Sequence, residues 1–536
     1  MTVHRKKEEN NYKALEINTT VSKVLCNFVR TTLGPKYNNK MLINEIGIVN
    51  ITNNGATILN ELKVNHPTAK LMIQSTKYLK EYIGDGTTST MIILNSLLEK
   101  SYLLVKKGFS ISNIIQSIKI IKDEIKNIMN KNTLKIDDIN NNILKYIANT
   151  IINGKIQEEN KNHIINVCIK AINIISNNLN SKQFEMENII QFVELNKNIQ
   201  NTEVINGIAF SSKRDNFIGK IVSSLSNLNV LLIDEYLNPK TKNSLKIKVN
   251  SINEREIYYK KKNQEVIDII NEVSLKNINI IFSTKKIPDL FLEAFEKRNI
   301  LVFKPIEEKL MKQISMVTKG KIIRNWKDFS LEDIGKIYNL KFYNKKNDII
   351  YLYGYPESKV ATIIVRGETL QITNNIIDCI DCVIKIFKQM LTNDKKIVCG
   401  GGSLEIEISN KLKYYAIKNI EDSKQKIILS LSDAFEEIPK QLAINSGYNS
   451  IDKLIELRKK HSQDENKFFG INVNNGIIEN MFQNNIYEPY ILKKYIFSIA
   501  IETALMILRI DDILKGSKKN NIYNKDIYQP NNYTKK

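Results

Sequence analysis

"EYIGDGTTST", Glu81 to Thr90, runs directly into the apolar stretch MIILNSLL, Met91 to Leu98. Two glycines flank an aspartate, four hydroxyl side chains follow, and the chain then becomes apolar enough to bury a helix. Two physical readings are open. Glycine lets backbone approach a ligand closely, and the free N–H groups of a helix start attract anions, so the stretch suits a phosphate. An aspartate there would repel the phosphate unless it held a divalent cation, and Mg²⁺ commonly bridges a carboxylate and phosphate oxygens. The other reading is a capped turn, with Thr87 or Thr88 as the N-cap and Asp85 in the preceding loop.

Outward from this stretch, the first third of the chain reads as helix. Apolar residues recur at helical spacing from Leu15 to Val29, and Gly34-Pro35 supply a stop. Ile114, Ile118, Ile121, Ile125 and Ile128 mark one apolar stripe. The middle differs: NVLLIDEYL, INIIFSTKK, ILVFKPI, DIIYLYGY and VATIIVRG are short β-rich runs, with helical stretches such as PDLFLEAFEKR between some of them. That alternation predicts an α/β domain from about Thr202 to Ala361. Helical periodicity then returns and persists to about Leu514, and the last twenty or so residues, polar and rich in Asn and Lys, are expected to be disordered. Helical ends around an α/β middle predict one domain assembled from both termini with another inserted.

At 536 residues the chain has room for about three ordinary domains. Lys plus Arg number 79 against 57 Asp plus Glu, a net charge of +22. Such a surplus often marks a nucleic-acid partner, but here it is diffuse, no aromatic residues interleave with it along a groove, and no nucleic-acid motif appears. The five cysteines have no disulfide-framework spacing, and the CxxC of Cys379 and Cys382 fits i, i+3 packing on a helix with no second pair to complete a zinc site. No signal peptide and no membrane-length apolar run is visible, so a soluble cytoplasmic protein is expected. The four His sit in no catalytic or metal pattern, and GxxxxGK[ST] is absent. Cys399-Gly400-Gly401-Gly402-Ser403 is a second glycine-rich turn, between a strand-like KKIV and a helical LEIEISNKL.

Taken in order, these stretches resemble the group II chaperonins. RTTLGPKYNNKML (Arg30 to Leu42), ITNNGATILNELKVNHPTAK, GDGTTST, IIVRGE, VCGGGSLEIE, EEIPKQLAINSG, GIIENMFQNNIYEP and ILRIDDIL recur in the family's order from about Leu15 to Leu514. Within the family the resemblance is to subunits of the eukaryotic cytosolic complex CCT/TRiC, and NIIQFVELNKNIQNTEVINGIAFSSKRDN looks most like the theta subunit. The resemblance implies an α+β multidomain chaperonin fold: a mainly helical equatorial domain (1–142 and 398–516), a small intermediate domain (143–203 and 362–397) and an α/β apical domain (204–361). A lid protrusion between Asn238 and Val266, with Lys260-Lys261-Lys262 at its tip, and a disordered tail at 517–536 complete the expected plan. It implies ATP and Mg²⁺ as cofactors, paralogous subunits in a double ring as partners, and unfolded proteins, such as cytoskeletal ones, as clients.

Carried over residue by residue, the resemblance gives Asp85 to Mg²⁺ and Gly86, Thr87, Thr88 and Ser89 to the phosphates. Gly34 and Pro35 shape the phosphate-side loop, Gly401 and Gly402 lie against ribose and base, and Glu488 bonds the ribose. Lys155 is the candidate γ-phosphate sensor, and Asp381 the carboxylate that orients the attacking water, at the cost of two extra residues before Gly400. The chain also departs from the pattern. Asn54 stands where the family usually has Asp, Tyr37-Asn38 replace Gly-Met, and Ile151 and Gly154 replace two serines beside Lys155. Nucleotide binding is therefore expected intact and hydrolysis weakened. On this reading Asn54→Asp should speed turnover. The competing roles are an ATP-driven folding subunit, a weakly hydrolysing structural or client-selecting subunit, and, from another class, a basic nucleic-acid-binding protein.

Overall fold

The computed structural model describes residues 13–512, apart from 44–46, 48, 136–140, 179–185, 212–216, 219–223, 238–263, 265, 304, 326–328, 344–348, 357, 359 and 394. The expected lid falls almost entirely outside the described residues, as does the 517–536 tail.

The N-terminal part is helical. α1 (Lys13–Val29) leads through the hairpin of β1 (Lys40–Ile43) and β2 (Val49–Thr52) to α2 (Gly55–Glu61), α3 (Pro67–Tyr82), α4 (Thr87–Lys106) and α5 (Ile111–Lys131). Every residue from Met91 to Leu98 is buried, because α4 packs against α1 and against the last described helix, Tyr490–Leu508. Each fully buried Leu or Ile in that run contributes about 1.5–3 kcal/mol of apolar transfer. On α5 the isoleucine stripe is buried as its spacing predicts, and the Ser110 hydroxyl accepts the Asn113 N–H at 3.2 Å to start the helix. β3 (Leu134–Lys135), α6 (Asn141–Ile152) and α7 (Glu158–Asn178) follow.

Among the described residues, the middle of the chain forms one ten-stranded sheet with three α-helices of its own. Its elements are β4 (Ile189–Leu195), β5 (Glu203–Ser211), β6 (Phe217–Ile218), β7 (Ser224–Ile233), α8 (266–275), β8 (Ile280–Ser283), α9 (Asp289–Lys297), β9 (Leu301–Phe303), α10 (Glu308–Thr318), β10 (Ile322–Ile323), β11 (Gly335–Tyr343), β12 (Ile349–Tyr353) and β13 (Ala361–Gly367). Strand order is β4-β13-β5-β12-β11-β7-β8-β9-β6, with β10 beside β7. Val230 and Leu232 of β7 join Met311, Ile314 and Val317 of α10 in one core, while Leu231 and Ile233 join α8 and α9 in another. Both faces of the sheet are covered, which is why its strands read as continuous apolar runs rather than as alternation.

β13 feeds α11 (Leu370–Thr392), whose N-cap Thr369 accepts the Ile372 N–H. The chain then returns to the helical part through β14 (Lys396–Cys399), α12 (Ser403–Asn419), α13 (Lys424–Ser432), α14 (Glu437–Asn445), α15 (Ser450–His461), β15 (Phe469–Ile471), β16 (Ile478–Asn480), β17 (Tyr487–Pro489) and α16 (Tyr490–Leu508). One continuous core unites helices from both chain ends with α6, α7 and α11. β14 lies between β17 and β3, and the pairing of Val398 with Glu488 sets Glu488 beside the glycine turn.

Candidate functional site: a nucleotide-type cleft

The two glycine-rich stretches, more than 300 residues apart in sequence, open into one cleft of about 700 Å³. α4 begins at Gly86, which is left-handed (φ 91°) and gives no side-chain cap. A Cβ there would lie 2.7 Å from Ile496 of α16, so the packing as well as the backbone conformation requires glycine. The capped-turn reading fails: neither Thr87 nor Thr88 caps the helix, and the Thr88 hydroxyl instead lies 3.2 Å from that of Thr32. α12 repeats the arrangement, with left-handed Gly402 (φ 76°) as an uncapped start packed against Pro439. First-turn N–H groups without protein acceptors, at the positive end of a helix dipole, make an anion site. Here two such ends meet the same space, the α12 one through Gly401 and Gly402 and with its Ser403 N–H already donated to the Gly400 carbonyl at 3.2 Å.

Charged side chains complete the lining. Asp85 accepts the Gly86 N–H at 2.9 Å through one oxygen and meets Lys155 Nζ at 3.3 Å through the other. Burial pushes the Asp85 carboxyl up, but Lys155, Lys80 and the Gly86 N–H outweigh it and hold it below its ordinary value. Lys155 is held above its ordinary value, since Asp85 and the neighbouring thiols more than offset its burial. Glu488 meets Lys493 Nζ at 2.9 Å, and Lys493 also bonds the fully buried Glu405 at 2.6 Å. Burial raises the Glu488 carboxyl despite Lys493. Tyr37, from the Gly34-Pro35 loop, donates its hydroxyl to the Gly154 carbonyl, which ties that loop to the turn carrying Lys155.

Twelve of the thirteen sequence-predicted residues line this cleft: Gly34, Pro35, Asn54, Asp85, Gly86, Thr87, Thr88, Ser89, Lys155, Gly401, Gly402 and Glu488. Asp381 does not. It sits about 100° round α11 from Cys382, accepts the Gln191 amide at 2.7 Å and lines a separate cavity with Gln191, Phe210, Gln313 and Ile384. Burial there pushes its carboxyl above the ordinary value, with Lys385 and Gln191 offsetting only part. The α11 residues that front the cleft are Gln371, Ile372, Asn375, Asp378, Cys379 and Cys382. Asp378 accepts the Asn54 side-chain amide at 3.0 Å, and Cys382 accepts from Lys80 at 2.9 Å while donating to the Gly84 carbonyl at 3.1 Å. Asp378, Lys80 and Lys493 are the site residues that sequence reasoning missed. The i, i+3, i+7 spacing of Asn375, Asp378 and Cys382 was the available signal, but Asp378 and Asp381 share one polar stripe of α11, so spacing alone does not say which of them fronts the cleft.

The donor set suits a nucleotide polyphosphate: two uncapped helix starts, hydroxyls, a lysine beside an aspartate, and a carboxylate at the far end. The comparisons agree. The model of the TCP-1/cpn60 chaperonin family matches residues 25–518. A thermosome subunit of Pyrococcus horikoshii is 28% identical over 508 residues, covering 94% of this chain and 92% of the relative. Thermosome subunit alpha of Methanothermobacter thermautotrophicus is 29% identical over 507 residues, covering 94% and 91%. With a family match across nearly the whole described chain, the chain belongs to the TCP-1/cpn60 chaperonin family, on its group II, thermosome-like side.

Proposed function

We propose that this chain is an ATP-dependent chaperonin subunit that works in a ring, binds nucleotide tightly and hydrolyses it slowly. The observation that carries the reading is the pair of uncapped, glycine-led helix starts meeting at one cleft beside the Asp85–Lys155 pair. The α4 start and the hydroxyls of Thr87, Thr88 and Ser89 receive the phosphates, Lys155 answers the terminal one, and Glu488, held by Lys493, takes the ribose. Asp85 would hold Mg²⁺ in exchange for its contact with Lys155, and the metal would supply charge neutralisation to the phosphate oxygens.

The slow step follows from the α11 face. In-line attack needs a positioned and polarised water. Asp378 is the carboxylate of α11 that fronts the cleft, and the Asn54 amide occupies one of its oxygens. Asn54 has no charge and takes no proton, so Asp378 acts alone as base. Asp378→Asn should lower single-turnover hydrolysis at this site by about 10²–10⁴-fold, the usual worth of a general base, and leave nucleotide binding within a few-fold. Asp381→Asn should leave both unchanged. The reverse pattern would return the role to Asp381.

Three finer points rest on sequence likeness. The three-part division at 142/143, 203/204, 361/362 and 397/398 is the one we adopt. The ring is hetero-oligomeric, with this chain as a theta-like subunit of a cytoplasmic eukaryotic complex, on the strength of the 188–216 stretch and the idiosyncratic site. The clients are unfolded proteins received at the apical sheet, with closure by the 238–266 segment.

A further inference from the structure

Three lysines line the cleft: Lys80, Lys155 and Lys493. So do three carboxylates, Asp85, Asp378 and Glu488. Lys155 is matched with Asp85, and Lys493 with Glu488 and Glu405, while Asp378 is taken by the Asn54 amide. Lys80 is different. It rises from the last turn of α3, and among the described residues its side-chain hydrogen-bond partner is the Cys382 thiol at 2.9 Å, a weak acceptor, while Asp85, already bonded to Lys155, acts on it only through space. Cys382 is itself fixed by its bond to the Gly84 carbonyl, so the ammonium is held immediately beside the loop that carries Asp85 and the α4 start. A lysine cation kept inside a cleft by a thiol has charge left over for an anion. Resting on the nucleotide reading above, we propose that Lys80 is a phosphate-binding residue of this cleft, a resident cation that lets this subunit retain nucleotide with little dependence on divalent metal. The same arrangement works against metal: a divalent ion at Asp85 must displace Lys155 and then sit near the Lys80 charge as well.

The test is photo-crosslinking of an azido-ATP to the assembled complex, with label counted on peptides of this chain alone, in Mg²⁺ and in EDTA. For the unmodified chain, EDTA should reduce half-saturating label by less than about 10-fold. Lys80→Gln should lose a further ~10- to 100-fold in EDTA, the range of one charge-assisted hydrogen bond, and far less in Mg²⁺. Lys80→Arg, which keeps the cation, should label in EDTA like the unmodified chain. The last variant separates a charge effect from a packing effect on Cys382. A loss of more than 10-fold by the unmodified chain in EDTA overturns the proposal, and so does Lys80→Gln labelling in EDTA as the unmodified chain does. Absence of label even in Mg²⁺ overturns the nucleotide reading itself, and this inference with it.

Discussion

A single amide decides how the cleft's carboxylate behaves. Asn54 caps α2 by accepting the Ala56 N–H at 3.2 Å, and its amide nitrogen donates to Asp378 at 3.0 Å. Read from sequence, Asn54→Asp restores a carboxylate and speeds turnover. The geometry reverses that expectation. An aspartate at 54 would place two carboxylates in contact, and two such groups cannot both ionise freely, so the pair would keep a proton to a higher pH. Asn54→Asp should therefore move the acid limb of the pH–rate profile upward by about one unit or more, slow single-turnover hydrolysis on the acid side, and bring no gain at pH 7. Faster turnover at pH 7 with an unmoved acid limb would mean that Asn54 and Asp378 do not act as a pair. Cys382 makes a related point: where the cleft wall meets the Gly84-Asp85 loop, α11 offers a thiol and not an acid.

At the scale of elements, one residue of β13 ties four neighbouring strands of the sheet together at their side chains. Arg366 donates through Nε to Glu194 of β4 at 2.6 Å and through Nη2 to Glu203 of β5 at 2.9 Å and to the Tyr351 hydroxyl of β12 at 3.2 Å. Its remaining nitrogen donates to the Asn201 carbonyl. β13 is thus fixed to both its neighbours by side chains as well as by the ladder. The Glu194 side chain is 4% exposed, and among the described residues its one other cation is Lys197 at 2.7 Å. Arg366→Met leaves that carboxylate half-compensated and should cost about 3 kcal/mol, the low end for breaking a buried pair. Amide exchange in β4 and β13 should then accelerate by roughly 100-fold. Exchange rates unchanged from the unmodified chain would show that the backbone ladder suffices. The pH dependence has a definite sign. Burial pushes the Glu194 carboxyl up, but its bonds to Arg366 and Lys197 prevail and hold it below its ordinary value. Its stabilisation is therefore complete above the ordinary glutamate pKa of about 4.3 and is lost as pH falls through the lower folded value. Protection of β4 should weaken in acid in the unmodified chain and lose that dependence in Glu194→Gln.

For the whole molecule, a ring made of this chain alone would repeat at every position a cleft whose carboxylates are paired and whose α11 wall presents a thiol. Purification of the native complex should accordingly co-isolate several related chains of similar mass. A stable ring of this chain alone, hydrolysing ATP at an undiminished rate, would contradict the hetero-oligomeric reading. Much of the plan was legible in the chain itself. The isoleucine stripe of α5, the buried run of α4 and the apolar strands of the sheet announce their elements because helix and strand periodicities are local properties of sequence. The glycine turns at Gly86 and Gly402 announced a cleft, since left-handed backbone and uncapped helix starts are written in residue type. Only the tertiary structure could settle the rest. Which acid of Asp378 and Asp381 faces the cleft depends on the rotation of α11, because both lie on its one polar stripe of Gln371, Asn374, Asp378, Asp381, Lys385 and Lys388 and spacing alone does not choose between them. The pairing of Lys80 with Cys382, and of Asn54 with Asp378, joins residues more than 300 positions apart. Spacing along a chain records what a few consecutive residues can form. It does not record which charges meet when distant helices pack, and in this cleft those meetings set the chemistry.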